Sequence, residues 1–225
     1  MAAATMTRPD ERVRQEVIDE LCWDAPLRPN QIGVAVTDGV VTLTGPVDTF
    51  GKKSAAERAA QRVRGVRVVA NDIEVRLLGS AQRTDDQIAV LVTGALACDT
   101  AVPTENIEVT VSRGWVTLQG QVPWQYQKTA AEHMIRGLAG VRGVTNAITV
   151  RPHTVPSPGE MKNLIRQALV RSAETDAERI IVDIQGTKVV LHGAVRTWAE
   201  KTEAERVAWS APGVSSVENH VVVSF

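Results

Sequence analysis

The sequence is poor in cysteine, has no long apolar run and carries almost no net charge. Its two cysteines, Cys22 and Cys98, are too few for a disulfide scaffold, and we expect both to be reduced and mostly buried thiols. No stretch approaches the roughly 20 consecutive apolar residues of a membrane-spanning helix. A formal net charge of -1 argues against a general electrostatic attraction to nucleic acid or to a membrane. Nucleic acid is therefore not an expected partner.

The first ten residues also lack the apolar segment of a signal peptide. Charged residues appear from Arg8 onward, and no cysteine near the start could carry a lipid anchor. We therefore expect a cytoplasmic protein without a transmembrane segment, in which any membrane contact is peripheral and at the inner membrane.

Catalytic motifs are missing as well. The sequence has no glycine-rich phosphate-binding loop, no Gly-x-Ser-x-Gly nucleophile turn and no Cys-x-x-Cys pair. The four histidines show no metal-ligand spacing along a helix or hairpin: His133, His153, His192 and His220. We predict a protein that is not an enzyme and that has neither a cofactor nor a metal site.

What the sequence does contain is one pattern, present three times. Gly45 recurs as Gly120 and then as Gly193, each at the end of a run of valine and leucine. Two further sets recur at the same spacing, without a gap: Gly65, Gly140 and Gly213, and Asn71, Asn146 and Asn219. The chain is therefore three copies of one unit of roughly 65 to 70 residues, near the lower size limit for an independent hydrophobic core.

Each copy shows the same order of hydrophobic periods. A four-residue spacing, as in Val13, Val17 and Leu21, predicts a helix, and alternation, as in Ile32, Val34 and Val36, predicts a strand. The fold class predicted is α/β (α+β), with three tandem α-β-β-α-β modules. Each module is expected to form a mixed three-stranded sheet that two helices cover on one face. The predicted modules span residues 10–77, 85–150 and 158–225.

Prolines and linkers complete this prediction. Pro26 and Pro29 are expected to end the first helix. Residues 78–83 link the first two modules, and the proline-rich residues 151–159 form a stiffer second linker that we expect to hold the third module at a distance.

This order of elements resembles the BON domain, named for bacterial osmotically induced and nodulation proteins. The resemblance rests on Val-Thr-Leu-Thr-Gly-Pro-Val at residues 41–47, on the helix end at residues 56–66 and on Val-Ala-Asn-Asp-Ile at residues 69–73. It implies a bacterial envelope-stress module that binds phospholipid or helps to maintain membranes. In some relatives the module accompanies a domain associated with potassium binding. Many relatives are periplasmic or lipid-anchored, and this sequence departs from them in having no evident export signal.

The second helix of the first copy is rich in cations, with Glu57 as its only acid. Arg58 and Arg62 lie one turn apart on the same face, where they could hold anionic headgroups. The alternative is a solvated basic face that the acidic first helix balances. The predicted anion- and lipid-binding residues are Lys52, Lys53, Arg58, Arg62, Arg64 and Arg67.

Aromatic residues near the second helix of each copy are the second candidate surface. They either fasten the loop to the helix or enter a lipid interface or a partner groove. The residues are Phe50, Trp124, Tyr126, Trp198 and Trp209. Trp115, Val190 and Val222 are predicted on outward sheet faces, which favours packing between modules or self-association.

Three functional hypotheses remain open. The first is a non-enzymatic, stress-associated binding or scaffold protein that contacts anionic phospholipid or a protein partner. The second is a structural protein that self-associates through sheet faces and oppositely charged helices. The third is a small-ligand or cation sensor, with potassium suggested by the family resemblance alone. His192 and His220, expected on the outer face of the third sheet, either share an ion or are two solvent-facing imidazoles.

Overall fold

The computed structural model describes residues 10–24, 27, 31–77, 79, 82–172 and 179–224. These residues form six α-helices and nine strands. Module 1 contains α1 (Asp10–Trp23), β1 (Gly33–Thr37), β2 (Val40–Val47), α2 (Phe50–Arg62) and β3 (Val68–Val75). Module 2 contains α3 (Asp85–Ala97), β4 (Ile107–Ser112), β5 (Trp115–Val122), α4 (Gln125–Arg136) and β6 (Gly143–Val150). Module 3 contains α5 (Pro158–Arg171), β7 (Ile180–Gln185), β8 (Lys188–Val195), α6 (Trp198–Trp209) and β9 (Ser216–Val223).

Each module has one mixed sheet in which the strands stand in chain order. The first two strands form an antiparallel hairpin, and the second and third are parallel because a helix crosses over between them. The predicted fold class is confirmed: three mixed three-stranded sheets, each with two helices.

The core of each module lies between its sheet and its helices, on the predicted positions. In module 1, Val13 and Val17 of α1 meet Val41 and Leu43 of β2, and all four are at most 1% exposed. The equivalent positions are buried in the other copies: Ile88, Val92, Val116 and Leu118 in module 2, and Met161, Ile165, Val189 and Leu191 in module 3.

An asparagine fastens the third strand of each module to the crossover helix. In module 2 the Asn146 amide donates to the carbonyl of Lys128 at 2.8 Å and to the Glu132 carboxylate at 3.1 Å. Its side-chain oxygen accepts the backbone N–H of Ile148. Because Asn71 and Asn219 make the same contacts, this asparagine has one structural role in all three modules.

The first residue of α1 and of α3 holds the neighbouring hairpin turn. Both Asp85 carboxylate oxygens accept turn amides at 2.8 Å, from Arg113 and Gly114, and Asp10 does the same in module 1. Module 3 has Pro158 at this position and so lacks the link.

The three crossover helices meet head to tail in a closed ring. At the first junction, Phe50 at the start of α2 packs on the core of module 2 beside the end of α4, where Gly51 adjoins the Arg136 carbonyl. At the second, Trp209 at the end of α6 packs on the cores of modules 2 and 3. At the third, Trp198 at the start of α6 donates its indole N–H to the Arg67 carbonyl beyond the end of α2, at 3.1 Å. Each N-terminal end thus lies near a neighbour's C-terminal end, an arrangement that helix dipoles favour.

Two expectations are wrong. The proline-rich linker does not hold module 3 at a distance, because its Val155 and Pro156 lie against Gly213 and module 3 contacts both other modules. Cys22 and Cys98 are exposed rather than buried. The reason is helical rotation: Cys22 directly follows the buried Leu21, and one residue turns the side chain by about 100° away from the core.

Some expectations lie outside the described residues. These are the helix-ending role of Pro26 and Pro29, half of the first linker (residues 78, 80 and 81), and the last residue of the third predicted module, Phe225.

Candidate functional site

The cations of α2 are spread along the helix rather than gathered at one point. Lys52 and Lys53 lie in its first turn and Arg62 at its end, which separates them by about 15 Å at 1.5 Å per residue. Arg64 and Arg67 follow the helix and are exposed. The side chain of Arg67 runs beside Gly39, and its backbone carbonyl accepts the Trp198 indole.

Two of these cations are engaged by acids of their own module. Lys52 pairs with Asp48 at 2.7 Å. Arg62 pairs with Glu20 at 2.6 Å and with Asp24 at 3.4 Å. Burial is the largest single influence and opposes the charge on Arg62, but the hydrogen bonds and negative charges of Glu20 and Asp24 together outweigh it and raise the pKa of the guanidinium. At Arg62 the partner Glu20 belongs to the acidic first helix of the alternative interpretation, whereas the acid beside Lys52 lies just before α2. The anion-binding role of the six residues stays a prediction.

Arg58 has a different environment from Arg62. Burial lowers the pKa of Arg58, and the nearby guanidinium of Arg136 in module 2 lowers it further. Arg136 in turn pairs with Glu132. Arg58 and Arg62 therefore share a helix face, as predicted, but Arg62 is turned toward α1 and Arg58 lies at the junction with module 2.

Three of the five predicted interface aromatics lie at the ring junctions. Phe50, Trp198 and Trp209 are all half-buried between modules, and Lys201 lies 5.0 Å from the centre of the Trp198 ring. Trp124 and Tyr126 remain 39% and 56% exposed. These two line a groove of about 1130 Å³ between α4 and α6, together with His133, Arg206 and Trp209.

The outward-facing apolar residues of the sheets differ in exposure. Val222 is 62% exposed and Trp115 is 50% exposed, whereas Val190 is only 5% exposed. The Trp115 ring covers Gly143, where an added Cβ would lie 2.3 Å from the ring, and its indole donates to Thr145. Trp115 therefore packs on its own sheet.

A surface that the sequence interpretation missed lies on α3. Opposite its buried face, the side chains of Val90 (72% exposed) and Leu91 (40% exposed) point outward together with Gly94, Ala97 and Cys98. We call these five residues the α3 face. The signal was present in the sequence, since no charged residue occurs from residue 87 to residue 98 although Ile88, Val92 and Leu96 alone fill the core.

Three arginines surround the N-terminal end of α3. Arg83, Arg113 and Arg142 are exposed and line a cleft of about 440 Å³ with Asp85. Both oxygens of Asp85 are already occupied by the turn amides. Positive charge thus adjoins one end of an apolar helix face, an arrangement typical of segments that lie in a membrane interface.

Among the described residues there is neither a membrane-spanning helix nor a cluster of three or more metal ligands. No helix among them is long and apolar enough to cross a bilayer. In the same part of the chain, no group of three or more histidine, cysteine or carboxylate side chains is placed to hold a metal ion. His192 and His220 do lie side by side on the outer face of the third sheet, as expected.

The chain is similar in sequence to a known osmotically inducible protein. The chain is 29% identical over 129 residues to the osmotically-inducible protein Y of Escherichia coli (strain K12), a match over 56% of this chain and 64% of that protein. The chain thus spans less than two thirds of that relative. Among solved structures, the C-terminal domain of CdsD, a structural protein of the type III secretion system of Chlamydia trachomatis, aligns over 93% of this chain and 96% of its own, with 13% identity and a TM-score of 0.26.

One family model matches most of the chain, in three separate segments. Residues 9–76, 84–152 and 160–224 each match the family model of the BON domain. The three matches cover each of the three modules. The chain belongs to the BON domain family, in three tandem copies.

Proposed function

We propose that this protein is a non-enzymatic, stress-associated bacterial binding protein that docks on anionic phospholipid surfaces through the α3 face. The observation that carries the proposal is the exposed surface of α3, uncharged from residue 87 to residue 98, with three arginines beside Asp85 and Asp86 at its N-terminal end. The name of the osmotically inducible relative supports the stress association, and the absence of catalytic motifs supports a binding role. Contact with the membrane would be peripheral, from the cytoplasmic side.

The other modules show that the α3 face is not required by the fold. At the positions of Val90 and Leu91, α1 carries Gln15 and Glu16, and α1 has Asp19 where α3 has Gly94. Since α1 buries its core residues equally well, the fold does not require the apolar outer surface of α3. In module 3, α5 shares part of this surface, with Leu164 44% and Val170 74% exposed. An exposed apolar surface that the fold does not need is a candidate for contact with another surface.

The expected affinity is that of a reversible, peripheral contact. Full burial of a valine or leucine contributes about 1.5–3 kcal/mol, so insertion of the exposed parts of Val90 and Leu91 contributes about 2 kcal/mol. Each arginine close to an anionic surface adds about 1 kcal/mol. The total of about 5 kcal/mol is divided between an apolar part that salt leaves unchanged and a charged part that salt screens.

Vesicle co-sedimentation tests this proposal with a matched control. Vesicles of phosphatidylcholine with phosphatidylglycerol should retain the protein at low salt, and vesicles of phosphatidylcholine alone should retain much less. Val90→Gln with Leu91→Glu, which introduces the residues of α1, should lower the partition coefficient about 30-fold, the equivalent of about 2 kcal/mol. Asn163→Gln with Leu164→Glu makes the same residues at the equivalent positions of α5 and should leave binding unchanged.

Two outcomes would overturn the proposal: one would reject lipid binding, and the other would reject the position of the site. No retention on phosphatidylglycerol vesicles at low salt would reject lipid docking and would leave a protein partner as the occupant of the α3 face. Retention that survives the α3 changes but is lost with Lys52, Lys53, Arg58 and Arg62 changed to glutamate would move the site to α2.

A second candidate function is self-association through the third sheet. Ile181 and Val222 are 59% and 62% exposed on its outer face, and a second copy could cover them. Sedimentation velocity over a range of concentrations tests this candidate, because a monomer at every concentration excludes it.

A further inference from the structure

Strands β8 and β9 place two histidines directly side by side. His192 and His220 are Cα partners in the parallel register. Their rings are stacked, with centroids 5.4 Å apart and planes 15° from parallel. Both residues are exposed on the outer face of the sheet. Two imidazoles are thus close together with open space above them.

This arrangement suits a chelating pair. Neutral imidazole is a good ligand for Cu²⁺, Ni²⁺ and Zn²⁺. The Cβ–Cγ torsion of histidine is broad, so the two rings can turn from the stacked arrangement until one nitrogen of each points at a common ion. The carboxylate of Glu218 lies 3.6 Å from Nε2 of His220, where it can orient that ring as carboxylates commonly do beside ligating histidines.

The pair belongs to module 3 alone, which separates it from the needs of the fold. The equivalent positions carry Gln119 and Ala147 in module 2, on strands with the same parallel register. Module 2 therefore supplies substitutions that the same fold accommodates at the equivalent positions.

We propose that His192 and His220 form a two-histidine chelating site for a divalent first-row transition metal ion. Water or an exogenous ligand completes the coordination, and Cu²⁺ binds more tightly than Ni²⁺ or Zn²⁺. The site is independent of the α3 face, so its presence or absence leaves the lipid-docking proposal untouched.

The test uses the full chain without an affinity tag. Cys22→Ser and Cys98→Ser are included in every variant, because exposed thiols also bind these metals. Calorimetric titration with Ni²⁺ should show one saturable site for each chain, and competition should rank Cu²⁺ above Ni²⁺. His192→Gln with His220→Ala should weaken Ni²⁺ binding about a hundredfold, because linking two ligands raises affinity by about two to four orders of magnitude.

A control variant and a single-histidine variant show whether the loss of binding is specific to this pair. His133→Gln removes a histidine from another module and should leave the affinity unchanged. His192→Gln alone leaves one imidazole and should weaken binding almost as much as the double change. Equal affinity in the parent and the double variant, or no saturable one-to-one site, overturns the proposal.

Discussion

One glycine in each module should resist any substitution, and Gly120 provides the sharpest test. Its φ is +139°, and a Cβ added there would lie 1.9 Å from the carbonyl oxygen of Asn106, just before β4 begins. Gly45 and Gly193 face carbonyls at 2.1 and 1.9 Å in the same way. Because the obstacle is backbone, the β4–β5 hairpin must open for alanine to fit.

The expected loss of stability has two parts, strain in the backbone at residue 120 and displacement of the start of β4. A side chain held in an unfavourable backbone region costs about 1–3 kcal/mol. Displacing the start of β4 removes at least one backbone hydrogen bond, which contributes about 1 kcal/mol. Gly120→Ala should therefore destabilise the protein by about 3 kcal/mol. If the whole chain unfolds as one unit, Tm should fall by about 6–12 °C.

Gly94 supplies the matched control. It lies in α3, where nothing stands within 4 Å of an added Cβ. The same change to alanine should stabilise the helix by about 1 kcal/mol, which raises Tm by about 2–4 °C. Thermal and urea unfolding followed by circular dichroism measure both variants. A Gly120→Ala protein as stable as the parent would refute the argument from the close carbonyl.

Three further changes test other parts of the structure. Asp85→Ala leaves two turn amides without their acceptor and should lower the free energy of unfolding by about 1–3 kcal/mol, measured as a lower urea midpoint with an unchanged slope. Trp209→Ala should uncouple module 3 from module 2, so that calorimetry resolves a second unfolding transition; a single unshifted transition would contradict the packing. A hydrogen bond from Arg206 lowers the pKa of Glu203, so the stability it contributes is present at neutral pH and is lost as the pH falls below about 4.5. Glu203→Gln should therefore show a weaker loss of stability on acidification than the parent, and equal acid sensitivity would count against this ion pair.

The sequence predicted the fold well because each hydrophobic period occurs three times. A helical face such as Val13, Val17 and Leu21 could be chance in one copy, but the same face returns at the same spacing in α3 and α5. Burial follows local geometry, since the direction of each side chain depends on its own element. The position of the core was for that reason readable without the structure.

Contacts between modules could not be read in the same way. Phe50, Gln125 and Trp198 occupy one aligned position, yet at the second junction the bridging aromatic is Trp209, at the other end of its helix. Which end supplies the large side chain depends on how the modules are oriented. No local period encodes that orientation, so the sequence leaves open whether these aromatics fasten their own loop or contact a lipid interface or a partner groove.

The pairing of charged residues also depends on contacts between elements. Arg62 of α2 pairs with Glu20 of α1 and with Asp24 just beyond the end of α1, about 40 residues earlier. An unpaired surface is recognised only when the neighbours of each residue are known. The α3 face, in contrast, is visible in the sequence alone, because the twelve residues from 87 to 98 contain no charged side chain.

The closed ring of crossover helices limits how the chain can be divided. In a ring of three, every helix start has a neighbouring helix end, so removing one module leaves one start and one end bare. A fragment of modules 1 and 2 would keep the Phe50 contact but would lose the partners of Arg67 and of the α4 groove. In this protein the ring needs all three modules. A two-module fragment would therefore differ from the full chain in its structure as well as in its length.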